Sequence, residues 1–174
     1  MNRKIWAFLT CLILFTFLVS CVRMPPTAED YEDYLEEILE IPLPIPSEKS
    51  VSDSHGGFLG DGLLSVRYRF APAEAFNLVS SILSNKNWKP LPLPENLSLL
   101  LYGGSKDGIS YEYRLAQEAG FPEISNGYYF FSDANAAPND KHDDAGLFDR
   151  YSFNIQCALY DSDTLTLYFL SFDT

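Results

Sequence analysis

An α+β fold, an antiparallel sheet of about four strands with a helix packed on one face, is the architecture that residues 51–174 predict. Three observations lead to it. "LLSVRYRF", 63–70, sets Leu64, Val66, Tyr68 and Phe70 against Ser65, Arg67 and Arg69, the period of a half-buried strand. Pro72 then stands where a first helical residue belongs, and Ala75, Phe76, Val79, Ile82 and Leu83 form one apolar stripe at helical spacing over 73–84. "RYSFNIQCALYDSDTLTLYFLSF", 150–172, reads as a hairpin turning at Asp161–Asp163. Tyr151, Phe153, Ile155, Cys157 and Leu159 share a face of its first arm, and Leu165, Leu167 and Phe169 share one of its second. Strands paired with each other, with a helix set to one side, make the α+β pattern.

Taken from the N-terminus, residues 1–20 stand apart from the rest. Arg3 and Lys4 precede the apolar run "IWAFLTCLILFTFLV" and small Ser20, whereas all 24 Asp and Glu lie from Glu29 onward. This is the layout of a secretory signal, which is excluded from the fold. The run is shorter than the roughly 20 apolar residues that a comfortable membrane span needs.

Residues 21–50 read as a tether. Pro25, Pro26, Pro42, Pro44 and Pro46 favour extended polyproline geometry. Between them Tyr31, Tyr34, Leu35, Ile38 and Leu39 recur at helical spacing with acidic residues opposite, and Thr27 is placed to cap. One short amphipathic helix is expected there, docking back on the domain. Fully extended, residues 22–50 would reach roughly 95 Å at about 3.3 Å each.

Within 51–174, "WKPLPLPENLSLLLYGG" is a connector leading into a short helix that starts near Pro94 and stops at Gly103 or Gly104. "GISYEYRLAQEAGFPE" alternates like a strand at Ile109, Tyr111, Tyr113 and Leu115, but Ser110 as a cap and the stop at Gly120 and Pro122 favour a helix over 111–119. "GYYFF", 127–131, begins a strand. Tyr128, Tyr129, Phe130 and Phe131 cannot all lie on one sheet face, so either both faces are covered or one offers an aromatic platform, and burial is the expectation.

The tetrapeptide "LVSC", 18–21, resembles the lipobox of bacterial lipoproteins, and this resemblance covers residues 1–21. It implies cleavage between Ser20 and Cys21, acylation of Cys21 with a diacylglyceryl group and palmitate, and attachment at the outer side of the cell membrane. Two or more acyl chains hold stably where one holds marginally. The basic pair before the apolar run keeps that end cytoplasmic and sends the remainder out. Cleavage leaves 10 basic against 24 acidic side chains, a formal charge of −14, which repels nucleic acid and anionic headgroups. The stretch from "HGGFLGDG" through "PLPLPENL" and "NGYYFF" to the C-terminal hairpin is similar to a group of small, uncharacterised exported or membrane-attached bacterial proteins, which brings no activity with it.

Chemistry is sparse. "SDSHGGFLGDG", 52–62, has the glycines for a ligand-hugging loop but lacks the Gly-Lys-Ser/Thr of a phosphate cradle, and it precedes a strand where a dinucleotide fingerprint follows one. His55 with Asp53 or Asp61 is a candidate ligand-binding pair; a turn with His55 in a structural hydrogen bond is the simpler reading. Only His55 and His142 are present, too few for a zinc site of several His ligands. "NDKHDDAGLFDR", 139–150, fails the calcium-loop pattern, with Ala145 where glycine is needed and Tyr151 where a bidentate Glu belongs, and reads as a disordered acidic excursion. Cys157 reads as a small buried hydrophobe. No catalytic residue, cofactor or metal is assigned. The expectation is a lipid-anchored, non-enzymatic module that binds an envelope protein or ligand. The alternatives are a metal-assisted or acid–base enzyme using His55, Asp61 and His142, and a structural spacer or immunity-like surface protein.

Overall fold

A computed structural model describes residues 30–55, 61–138 and 140–174, so the signal segment, Ser20, Cys21 and the Thr27 cap lie outside the described residues. The chain is α+β. Its elements are α1 (Asp30–Leu39), β1 (Glu48–Asp53), β2 (Gly62–Arg69), α2 (Pro72–Ser84), β3 (Trp88–Pro90), α3 (Glu95–Tyr102), β4 (Gly104–Lys106), β5 (Ile109–Tyr111), α4 (Leu115–Glu118), β6 (Gly127–Asp133), β7 (Asn154–Asp161) and β8 (Thr166–Asp173). Six strands form one antiparallel sheet in the order β1-β2-β8-β7-β6-β3, and β4-β5 make a separate hairpin.

The expected sheet of about four strands is therefore too small, and helices cover both of its faces instead of one. Polarity explains the first miss. β1, "EKSVSD", is an edge strand with only Val51 half-buried, so it lacks an apolar alternation while its charges discourage further pairing. β3 is three residues long and interrupted by proline, as an edge strand tolerates. The second miss follows from β7 and β8, which are buried on almost every residue and so require cover on both sides.

Register assigns the faces. Cys157 sits opposite Leu170 and Phe131, and Leu159 opposite Tyr168 and Tyr129. These residues join Leu97, Leu100 and Leu101 of α3 and Leu115 of α4 in one core. On the other face Phe130, Ala158, Phe169 and Val66 line up across β6, β7, β8 and β2. There Tyr34 of α1 meets Phe169 edge-on with 6.2 Å between ring centroids, and Phe130 lies 5.7 Å from Trp88. Tyr129, Phe130 and Phe131 are all buried and serve the core on both faces, while Tyr128 is half-buried. The apolar stripes of the two hairpin arms, at Ile155–Leu159 and at Leu167 and Phe169, lie on opposite faces, and Tyr151 is exposed outside the strand.

α1 docks through Leu35 and Leu39, both fully buried. It stops because Glu40 takes a positive φ of 58° and Pro42 follows. Glu32–Thr174 forms one compact unit, so residues 32–50, read from sequence as part of the tether, belong to the folded body. In α2 the inward side chains are Ala75, Leu78 and Ile82, while Phe76 and Leu83 of the expected stripe point to solvent at 73% and 67% exposure. The expected helix over 111–119 is instead the end of a hairpin and one helical turn. Asp107 and Gly108 both take positive φ, 51° and 80°, which supplies the tight turn joining β4 to β5. Gly127 is also fixed by geometry: at φ 153° its backbone lies so close to β7 that an added Cβ would fall 1.8 Å from the Tyr160 carbonyl oxygen.

Candidate functional site

His55 leaves the end of β1, and strand register supplies its surroundings. Asp53 pairs with Leu64 of β2, and Gly62 of β2 pairs with Asp173 of β8. The imidazole consequently sits between two carboxylates, with Nδ1 2.6 Å from Asp53 Oδ1 and Nε2 3.2 Å from Asp173 Oδ2. The His55 backbone N–H also donates to Asp53 Oδ1, at 2.9 Å. Each ring nitrogen thus has a carboxylate oxygen within hydrogen-bond distance, and the two contacts tie the outer strand to β8.

Tyr34 closes this cluster from α1. It hydrogen-bonds Ser171, and burial pushes its hydroxyl above the ordinary tyrosine value, with the charges of Asp173 and Asp53 adding to the effect. Asp61, the other carboxylate proposed from sequence, is exposed, and the oxygens that meet His55 come from Asp53 and Asp173. Gly56, Gly57 and Gly60 lie outside the described residues. Gly62 is close-packed in its own right, since a Cβ there would approach the His55 backbone to 2.6 Å.

His142 occupies a different place. Its Nδ1 donates to the Phe131 carbonyl at 2.7 Å, its ring lies 5.2 Å from that of Phe130, and its buried Nε2 stands 3.7 Å from Glu40 Oε1. Glu40 organises this corner. Its carboxylate accepts from Lys141 at 2.6 Å and Asn87 at 2.7 Å, its carbonyl accepts from Asn85 at 3.0 Å, and Trp88 Nε1 donates to the Leu39 carbonyl at 3.1 Å. Desolvation works to raise the Glu40 carboxyl, but the bonds from Lys141 and Asn87 and the charges of Lys141 and His142 outweigh it and hold the group below its ordinary value. These contacts satisfy the carbonyls of Leu39, the last residue of α1, and of Glu40, and compensate the strained backbone at Glu40.

Beside this corner lies an open cleft of about 600 Å³ between the C-terminal ends of α1 and α2, lined in part by Glu40, Pro42, Ser80, Ser84, Asn85 and Lys86. The Ser80 and Ser84 hydroxyls donate back to helix carbonyls of Phe76 and Ser80, which leaves their lone pairs toward solvent. Exposed Phe76 and Leu83 lie on the same helix. Sequence reasoning did not find this cleft, because it is made by two helices that meet only in the fold.

The remaining candidates are structural. Cys157 is 1% exposed, and burial pushes its thiol up to about 12, leaving it protonated and inert. Of the 139–150 excursion, expected to be disordered, the described part, 140–150, is packed against the body. Leu147 is buried in the core, Asn96 donates to the Asp144 carbonyl at 2.9 Å, and Arg150 pairs with the buried carboxylate of Asp133. Among the described residues no group of three or more His, Cys, Asp or Glu is placed to hold a metal ion, and no helix is long and apolar enough to cross a membrane. Comparison of the chain with protein-family models, with curated proteins and with solved structures finds no match in any of the three.

Proposed function

We propose that the chain is a lipid-anchored protein of the extracytoplasmic face, attached through Cys21, that acts by binding another component of the cell envelope and not by catalysis. The anchor rests on the "LVSC" junction at the end of the apolar run. The observation that carries the non-catalytic reading is the saturation of His55: both ring nitrogens face carboxylate oxygens at 2.6 and 3.2 Å, so neither is offered to a substrate. His142 spends one nitrogen on a backbone carbonyl and keeps the other buried. Neither imidazole nor the buried Cys157 thiol is therefore offered as a base or nucleophile, which supports the binding reading.

Two measurements test this. Intact-mass spectrometry of the protein purified from membranes is expected to show a chain beginning at an acylated Cys21; an unmodified sulfur with Met1 retained overturns the anchor. His55→Ala, assayed for thermal stability and for capture of a single membrane partner, is expected to lower the melting temperature, with partner capture weakening only as far as folding does. Loss of function at unchanged stability supports the enzyme reading, with Asp173 in the place given to Asp61.

A further inference from the structure

We infer that α1 is a docking element that fixes the body close to the bilayer, so that the partner's contact surface is membrane-proximal. The inference rests on the lipid anchor proposed above at Cys21. Read as a spacer, residues 22–50 would let the body stand off by roughly 95 Å. The structure removes most of that length. Leu35 and Leu39 are fully buried, Tyr34 packs on Phe169, Trp88 holds the Leu39 carbonyl at the end of the helix, Asn85 holds the Glu40 carbonyl behind it, and Glu32 pairs with Lys49 of β1. The proline segment that follows is fastened as well: the Leu43 N–H donates to Glu36 Oε1 at 2.7 Å, and the Ser47 N–H to the Arg69 carbonyl at 2.8 Å.

What separates the acylated cysteine from the folded unit is then the stretch from Cys21 to Glu32, at most about 36 Å however the chain runs. Because Glu32 contacts Lys49, the neighbouring Ser50 stays within roughly 50 Å of the bilayer surface. A folded body of this length has a radius of gyration of about 15 Å, so the leash is about as long as the body is wide. A partner presented far from the membrane is out of reach, and one embedded in or lying on the same membrane is within it.

The experiment uses the full acylated chain with Ser50→Cys labelled by a fluorescent donor, bound to phosphatidylcholine vesicles carrying an acceptor on a fraction of the headgroups. About 20 Gly/Ser residues, whose own root-mean-square span is roughly 25 Å, are inserted either between residues 29 and 30 or between residues 44 and 45. The docking reading expects strong transfer in the parent chain, weaker transfer with the first insert and parent-level transfer with the second, because α1 and not the chain between 40 and 48 sets the distance of β1. Equal loss with both inserts, or amide exchange over 35–39 as fast as in an unstructured peptide, overturns it. Failure of the anchor itself reads differently, since a chain without acylated Cys21 does not float with the vesicles and shows no transfer in any form.

Discussion

Truncating Leu39 measures how firmly α1 belongs to the fold. Its side chain is fully buried at the end of the helix, one turn after the equally buried Leu35 and beside the Trp88 hydrogen bond. Leu→Ala at such a site costs about 2–5 kcal/mol, from lost transfer energy and the cavity left behind. We take about 3 kcal/mol, because neighbouring Glu40 is held by bonds that hinder collapse around the cavity. The unit Glu32–Thr174 has about 140 residues. At roughly 2.1 cal/mol/K per residue its unfolding entropy is about 0.3 kcal/mol/K, so Leu39→Ala lowers Tm by about 10 °C. Thermal and urea unfolding, followed by circular dichroism and by Trp88 fluorescence, supply the assay. Glu37→Ala on the exposed side of α1 is the control, expected within about 0.5 kcal/mol of the parent. A Leu39→Ala shift no larger than that of Glu37→Ala refutes the docked helix and the short leash with it.

Other outcomes follow from single sites. Gly127→Ala drives a Cβ into the Tyr160 carbonyl and parts the β6–β7 ladder, and we expect a loss above about 4 kcal/mol or no folded protein, seen in expression and in the urea midpoint. Cys157 is expected to resist iodoacetamide in the native protein and to react in denaturant, since its buried thiol is held up to about 12; native labelling at neutral pH contradicts the packing. Burial likewise pushes the Tyr68 and Tyr102 hydroxyls up to about 12. The unfolded chain releases these protons first, from about pH 10 for tyrosine, so their contribution is intact below that value and is lost as pH rises toward 12. The urea midpoint should fall steadily over that window. Tyr68→Phe removes a buried hydroxyl that has no hydrogen-bond partner among the described residues; it should leave stability at pH 7 unchanged or higher and flatten the alkaline fall.

Strong local periodicity was legible. The strand at 62–69, the helix from Pro72 to Ser84 and the helix behind Pro94 stand where alternation and proline placed them, and the C-terminal hairpin is present with its turn at 162–165 in place of Asp161–Asp163, so that Leu165, read as part of the second arm, lies in the turn at φ 54°. Weak or conflicting signals misled. In 104–120 the Asp107–Gly108 turn outranked the apparent cap at Ser110, and a strand pair replaced the first part of a helix. In α2 two readings of the apolar positions differ by a small rotation, and burial of Leu78 selects the one that exposes Phe76 and Leu83. The candidate site was half visible. His55 and Asp53 are two residues apart, but Asp173 lies 118 residues from His55 and arrives only through the pairing of β2 with β8.

Composition and order of residues by themselves determined the acidic charge, the isolation of the first 21 residues, the absence of nucleotide-loop and nucleophile motifs, and the period of each strong element. Tertiary structure alone decided that the C-terminal strand lies inside the sheet beside β2, that α1 is part of the body, and that His55 is clasped between two strand ends. The physical reason is one of range. Helical and strand periods and turn chemistry act over a few residues, whereas sheet order is settled by which distant faces bury the most apolar surface against the entropy of closing the loops between them.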